Sequence, residues 1–293
     1  LFIQVSKIRE KESSVEKEKC TKIEEEIENE RITNEYLSNF ICTNLNSKKN
    51  IKVLYIVGVE DSPRNVSLMK NNYEILKIYD NITWCFNHFD GTNKEWVKES
   101  WYNNINCIKN TEIGSKITQW SKITPDIAKQ YDYLWFSDGD IGLENFNWDN
   151  YSSMLINMNP LLSQPGVLPL KTGGRASDLS WLCCTPIRKN TIKLTKRSIE
   201  IMTPFISTKI WDLIYEKMKL TNKKSAWDTQ NFFNDVVDDL NSPKLINFKS
   251  PVVHHNYRNL NKIKSVDSKR MLIPSPKPDN YKEKIENIKK QII

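Results

Sequence analysis

No run of the 293-residue sequence approaches the roughly 20 apolar residues that a membrane-crossing helix needs. The chain also lacks a C-x-x-C pair. Its six cysteines are Cys20, Cys42, Cys85, Cys107 and the adjacent Cys183-Cys184, which argues against zinc-ribbon and thioredoxin chemistry. Cys85 and Cys107 stand in apolar contexts and read as core thiols. There is no concentrated basic stripe. The net charge of +7 is spread among alternating Lys and Glu, so nucleic acid is not expected as a partner, while an anionic small substrate fits. There are no internal repeats, and Val57-Gly58-Val59-Glu60-Asp61 lacks the G-x-G-x-x-G of dinucleotide binders.

What is present divides the chain into three. Residues 1–47 hold a Lys/Glu-rich run that favours a charged helical arm or stem with little apolar face to bury. Residues 48–260 read as the catalytic domain, and 261–293 as a basic tail. A membrane tether upstream of Leu1 is left open. With such an anchor the secretory pathway (Golgi-like) is the expected location, and without one the cytoplasm.

The β-branched run Ile51–Gly58 predicts a buried strand, Pro63–Tyr79 a helix and Asn81–Asn87 a second strand. Lys116–Gln130 reads as helix interrupted at Thr124-Pro125-Asp126, and Tyr131–Phe136 as a third strand. Strands alternating with helices predict an α/β fold with parallel pairs. Farther on, the proline-rich Asn159–Leu170 predicts a loop flanking a short strand, and Ser198–Phe205 is strand-like. Ser207–Met218 and Trp227–Leu240 read as helices, and Leu245–Phe248 as a last short strand.

The strongest local signal is Phe136-Ser137-Asp138-Gly139-Asp140. An apolar strand delivers two carboxylates at its C-terminal end, the edge at which open α/β sheets bind ligands. The intervening glycine lets both aim at one point. Hard cations such as Mg²⁺ or Mn²⁺ take oxygen ligands and share their shell with substrate phosphates, so a metal held there would bridge a diphosphate. Glu200, in an apolar segment, is costly to bury without a polar site nearby. Arg64, Lys116 and Arg175 are candidate diphosphate clamps by charge. Trp181 is the tryptophan to test for sugar stacking, whereas Trp120, Trp135, Trp148 and Trp211 read as core. The neighbouring His254 and His255 cannot point the same way along a strand, so only one serves a common site.

The segment Tyr131–Phe146 (YDYLWFSDGDIGLENF) resembles the "YDYIFLWDEDLGVENF"-like segment of the family labelled "lysine ketoglutarate reductase trans-splicing related". The resemblance extends through Gln119–Asp126, Ser163-Gln164-Pro165, Ile199–Ser207, Trp227-Asp228 and Val252-Val253-His254. It implies a glycosyltransferase-A-like (Rossmann-like) mixed sheet flanked by helices. It also implies transfer of a sugar from a nucleoside-diphosphate sugar to a glycan or other hydroxyl acceptor, with Mn²⁺ or Mg²⁺ as cofactor.

Carried over residue by residue, Asp138, Asp140 and His254 become the metal ligands, with Asp138 also facing the nucleotide. Gln164 would border the donor or acceptor sugar. Asp228 falls where inverting members place a catalytic base, and Glu200 where an acceptor-binding acid would lie, which makes both candidate catalytic residues. Arg64 and Lys116 are donor-binding candidates by charge alone. Gly139 replaces an acidic residue of the family pattern, and Ser225-Ala226-Trp227-Asp228 lacks its glycines. Asp228 is equally open to capping the helix that starts near Thr229. The rival readings are a nucleotidyltransferase and a non-catalytic carbohydrate-binding protein on the same fold.

Overall fold

A computed structural model describes residues 50–169, 191–195, 198–220, 226–255 and 277–292. The expected N-terminal arm, Arg175 and Trp181 lie outside the described residues.

The first half follows its hydrophobic pattern. Strand β1 (Val53–Val59) leads into helix α1 (Pro63–Leu76), followed by β2 (Ile82–His88), α2 (Ser100–Asn104) and β3 (Cys107–Thr111). Ser62 caps α1 by accepting the Asn65 N–H, with Pro63 in the first turn, where its missing N–H costs nothing. Two short helices follow, α3 (Lys116–Trp120) and α4 (Pro125–Ala128), separated by the Thr124 cap as the Thr-Pro break predicts. Strand β4 (Tyr133–Asp138) then runs parallel to β1, which is itself parallel to β2. These strands are buried nearly throughout, as parallel strands covered on both faces must be.

The second half mixes directions. After β5 (Ile141–Gly142) come α5 (Trp148–Met158), β6 (Leu162–Pro169), β7 (Ile192–Thr195), β8 (Phe205–Ser207), α6 (Trp211–Leu220), α7 (Ala226–Asp239), β9 (Lys244–His254) and α8 (Tyr281–Ile292). Among the described residues the sheet has nine strands, in the order β3-β2-β1-β4-β8-β6-β9-β5, with β7 paired to β9. β8 is antiparallel to both β4 and β6, whereas β6 and β9 are parallel. The expected mixed α/β sheet flanked by helices is the one observed.

Local differences from the sequence reading have physical causes. The proline-rich stretch is a full strand, β6, which absorbs Pro165 by a register break between Pro165 and Val167. β9 continues past the expected Phe248 to His254, because its end pairs with β5. Of the strand-like Ser198–Phe205 only the end pairs as a strand, in β8. The expected basic tail carries α8, whose Tyr281, Ile285 and Ile288 are buried against the core.

Trp120, Trp135, Trp148 and Trp211 are all buried. Trp120 and Trp211 stack on Phe136 with centroids 4.0 and 5.1 Å away. Cys85 is buried and Cys107 partly so, and burial pushes the Cys107 thiol up to about 11, so both are protonated packing groups near neutrality. No helix among the described residues is long and apolar enough to cross a membrane.

Candidate active site

At the C-terminal end of β4 the chain turns through Asp138-Gly139-Asp140 into β5. Two asparagines on the inner face of α1, seven residues apart and so two turns along one face, fasten this turn. The Asn65 amide donates to the Gly139 carbonyl oxygen and accepts the Glu60 N–H at 3.0 Å. Asn72 donates to the Ile141 carbonyl at 2.8 Å and accepts the Leu143 N–H at 2.9 Å. A Cβ at position 139 would overlap the Gly58 carbonyl oxygen, so only glycine lets the turn lie this close to β1. That contact accounts for the departure from the acidic residue of the family pattern. Neither asparagine was singled out from the sequence. The available signal was a polar residue recurring on the buried face formed by Val66, Met69 and Leu76.

The two aspartates take different partners. Asp138 Oδ1 is 2.5 Å from Lys116 Nζ, at the start of α3. Burial holds its carboxyl above the usual range, opposed by Lys116 and reinforced by Asp140. Asp140 Oδ2 lies 3.4 Å from His254 Nε2, and its carbonyl accepts the His255 N–H at 2.8 Å. His255 itself turns to Glu144, 2.9 Å away. The strand alternation thus sends the two histidines to different partners, with His254 on the Asp140 side. Asp138, Asp140, Lys116 and His254 form one electrostatic cluster.

No group of three or more His, Cys, Asp or Glu side chains among the described residues is arranged to hold a metal ion. The expected trio is assembled only as the Asp140–His254 pair, because Asp138 is engaged by Lys116. That pair still suits a divalent cation. Bonds of ~2.1 Å at right angles place neighbouring ligand atoms ~3 Å apart, close to the observed 3.4 Å. His254 Nδ1 is buried without a hydrogen-bond partner among the described residues. Protein oxygen and imidazole nitrogen would supply two positions, and substrate phosphates and water the others.

Glu200 approaches from the opposite flank, on the irregular stretch before β8. That stretch lies beside β4, with the Asp138 and Phe136 N–H groups donating to the Met202 and Pro204 carbonyls at 2.9 and 3.0 Å. Glu200 is 8% exposed, and burial raises its carboxyl pKa while Lys116 opposes the shift. Among the described residues no group donates a hydrogen bond or ion pair to its carboxylate. Gln164, expected to border the sugar, is fully buried and accepts the Glu200 N–H at 2.7 Å.

The remaining expected residues lie elsewhere. Asp228 sits inside the first turn of α7 rather than capping it, since the helix already begins at Ala226. It is 3.7 Å from the buried Lys217 on α6. Two residues before Gln230, it faces roughly 200° around the helix from that side chain. Arg64 pairs with Glu60 at 3.8 Å across the first turn of α1.

The fold and the site together define a mixed α/β protein with a carboxylate, lysine and histidine cluster at the C-terminal edge of its parallel strands. The chain belongs to the family described as "Protein of unknown function (DUF707)", which matches residues 23–272. The lysine ketoglutarate reductase label of the resemblance is not the description this family carries. No curated protein matches the chain in sequence. Among solved structures, GalNAc-T7 with UDP, GalNAc and Mn²⁺ is similar at 11% identity and TM-score 0.46, over 71% of this chain and 44% of that one. The structure of S. aureus TarS 1-349 in complex with UDP is similar at 14% identity and TM-score 0.47, over 69% of this chain and 60% of that one. The chain therefore spans less than two thirds of either.

Proposed function

We propose that the protein is a metal-assisted glycosyltransferase, moving a sugar from a nucleoside-diphosphate sugar to an acceptor hydroxyl. The observation that carries this reading is the contrast in commitment among the acids gathered at one edge. Asp138 and Asp140 are matched to Lys116 and His254, while the buried Glu200 has no hydrogen-bond donor on its carboxylate among the described residues.

Asp140 and His254 would hold a divalent cation, Mn²⁺ or Mg²⁺. When bound, the cation supplies charge neutralisation to the departing diphosphate. Lys116, two residues after Gly114 and paired to Asp138, places a cationic group at the same edge for phosphate oxygens. Asp138 is oriented by that lysine toward the nucleotide. Glu200, whose carboxyl is held above the usual carboxylate range by burial, suits the task of taking the acceptor hydroxyl's proton as the new glycosidic bond forms. A base used in a single displacement inverts the anomeric centre. The geometry favours Glu200 over Asp228 for this role, because Asp228 faces Lys217 on α6.

The test is a thermal-shift panel of UDP- and GDP-sugars with and without Mn²⁺. A donor that binds the folded state raises the melting temperature. The expected result is a Mn²⁺-dependent rise with at least one donor, lost in Asp140→Ala while that variant keeps its own ligand-free melting temperature. A panel with no shift, or an Asp140→Ala shift equal to that of the unaltered protein, overturns the reading.

A further inference from the structure

The stretch carrying Glu200 has an unusual means of support. On one side it is tied to β4 through the carbonyls of Met202 and Pro204. On the other, the pairing of β8 with β6 ends at Phe205 and Ser163, so among the described residues no strand continues to receive the N–H groups of residues 199–201. Backbone polar groups buried without partners are costly. Here side-chain amides take the place of the missing ladder. Asn234 Oδ1 accepts the Ile199 N–H at 2.8 Å, and its Nδ2 donates back to the Ile199 carbonyl at 3.0 Å. Gln164 Oε1 accepts the Glu200 N–H at 2.7 Å, and Gln230 Oε1 accepts the Ile201 N–H at 3.0 Å. Lys116 Nζ reaches the Ile201 carbonyl at 3.4 Å, linking this stretch to Asp138.

All three amides are at least nine-tenths buried. Gln230 and Asn234 are one turn apart on α7 and share a face, and the Asn234 amide also donates to the Gln230 carbonyl at 2.9 Å. Three consecutive N–H groups are therefore held by rigid elements, β6 and α7, while the carboxylate between them has no donor among the described residues. Burying three amides to fix the backbone around one acid suits a group whose placement matters to a reaction.

We infer that Gln164, Gln230 and Asn234 are positioning residues that set Glu200 for proton abstraction from the acceptor hydroxyl. This rests on the glycosyltransferase reading above and deepens it. In the step, the hydroxyl proton passes to the Glu200 carboxylate as the acceptor oxygen bonds to the anomeric carbon. The bond from that carbon to the phosphate oxygen breaks, and its electron pair leaves with the nucleoside diphosphate.

The test uses the full chain, the nucleotide sugar giving the largest shift in the panel, and Mn²⁺. Gln230→Met and Gln164→Met remove an acceptor oxygen at near-constant volume, and assaying both covers the case in which one fails to fold. Either is expected to lower kcat for transfer roughly ten- to a hundredfold, the scale of a misplaced catalytic group, with KM for the donor and UDP affinity within about twofold. Gln230→Glu, which keeps an oxygen for the Ile201 N–H, is expected to recover most of the rate. In the background of Glu200→Gln, adding Gln230→Met is expected to cost nothing more, since the two act through one group. Full kcat in the methionine variants, or losses that multiply with that of Glu200→Gln, overturns the positioning role while leaving the function reading in place. If the unaltered protein binds no nucleotide sugar, the function reading fails and this inference falls with it.

Discussion

The two flanks of the site are built to different ends. On the first, α1 fastens the Asp138-Gly139-Asp140 turn through Asn65 and Asn72, and each aspartate faces a basic side chain. On the second, Gln164, Gln230 and Asn234 hold the backbone around Glu200, and no group among the described residues donates to its carboxylate. The first arrangement suits charge recognition, because carboxylates facing Lys116 and His254 can share those partners with a phosphate and a cation. The second suits proton transfer, because burial raises the Glu200 carboxyl above its usual range and no group among the described residues donates to it.

The sharpest way to break this contrast is Glu200→Gln. It is expected to lower transfer roughly 10²- to 10⁴-fold, the range of general-base catalysis, without changing UDP affinity in calorimetry. A matching loss of affinity would make both flanks binding surfaces.

A pH profile must next be separated from the behaviour of the fold. Buried His88, at the end of β2, hydrogen-bonds Tyr102 at 2.8 Å, and burial pushes its pKa down to about 4. The neighbouring Asp90 and Asp61 oppose that shift. The unfolded chain then binds the proton that the folded one refuses. Stability is full above about pH 6.5 and falls as pH drops toward 4, by at most about 3 kcal/mol. Chemical denaturation from pH 7 to pH 4 reads this, and His88→Gln should flatten the curve. An unchanged slope would mean that His88 is not the group responsible.

Gly139→Ala sharpens the comparison from the first flank. The added methyl meets the Gly58 carbonyl, so an overpacking cost of about 1–3 kcal/mol is expected. The displaced turn should also lose Mn²⁺-dependent nucleotide binding. Retained affinity at normal stability would show that the close approach to β1 is dispensable.

The smallest effect is expected from Asp228→Asn, which loosens the pairing of α7 with Lys217. Transfer should stay within about threefold of the unaltered protein, with a loss of about 1 kcal/mol in stability. A kcat collapse comparable to that of Glu200→Gln would move the base to α7.

Much of the first flank was legible before any coordinates. Apolar runs of strand length before Asp138, a helix start at Ser62-Pro63 and the Thr124-Pro125 break are local signals, and each element formed close to where its residues placed it. The second flank was less so. Gln164 drew notice as a ligand-facing residue, yet it serves the backbone. Gln230 and Asn234 drew none, since an amide on a helix is equally suited to solvent and to burial until its partner is known. The prolines of β6 argued for a loop because a strand's tolerance for them depends on what lies along its edges.

The sequence by itself determined the alternation of strands and helices, the apolar strand that presents Asp138 and Asp140, and the candidate acids, because each depends on neighbours a few residues away. The tertiary structure alone decided which acids take a basic partner and which has no donor among the described residues. It set His254 against Asp140 and His255 against Glu144, and brought Gln164, Gln230 and Asn234 to a stretch 29 to 36 residues distant in the chain. Those outcomes depend on which buried polar groups find partners once the sheet closes, and chain packing settles that pairing across elements that carry no mark of each other.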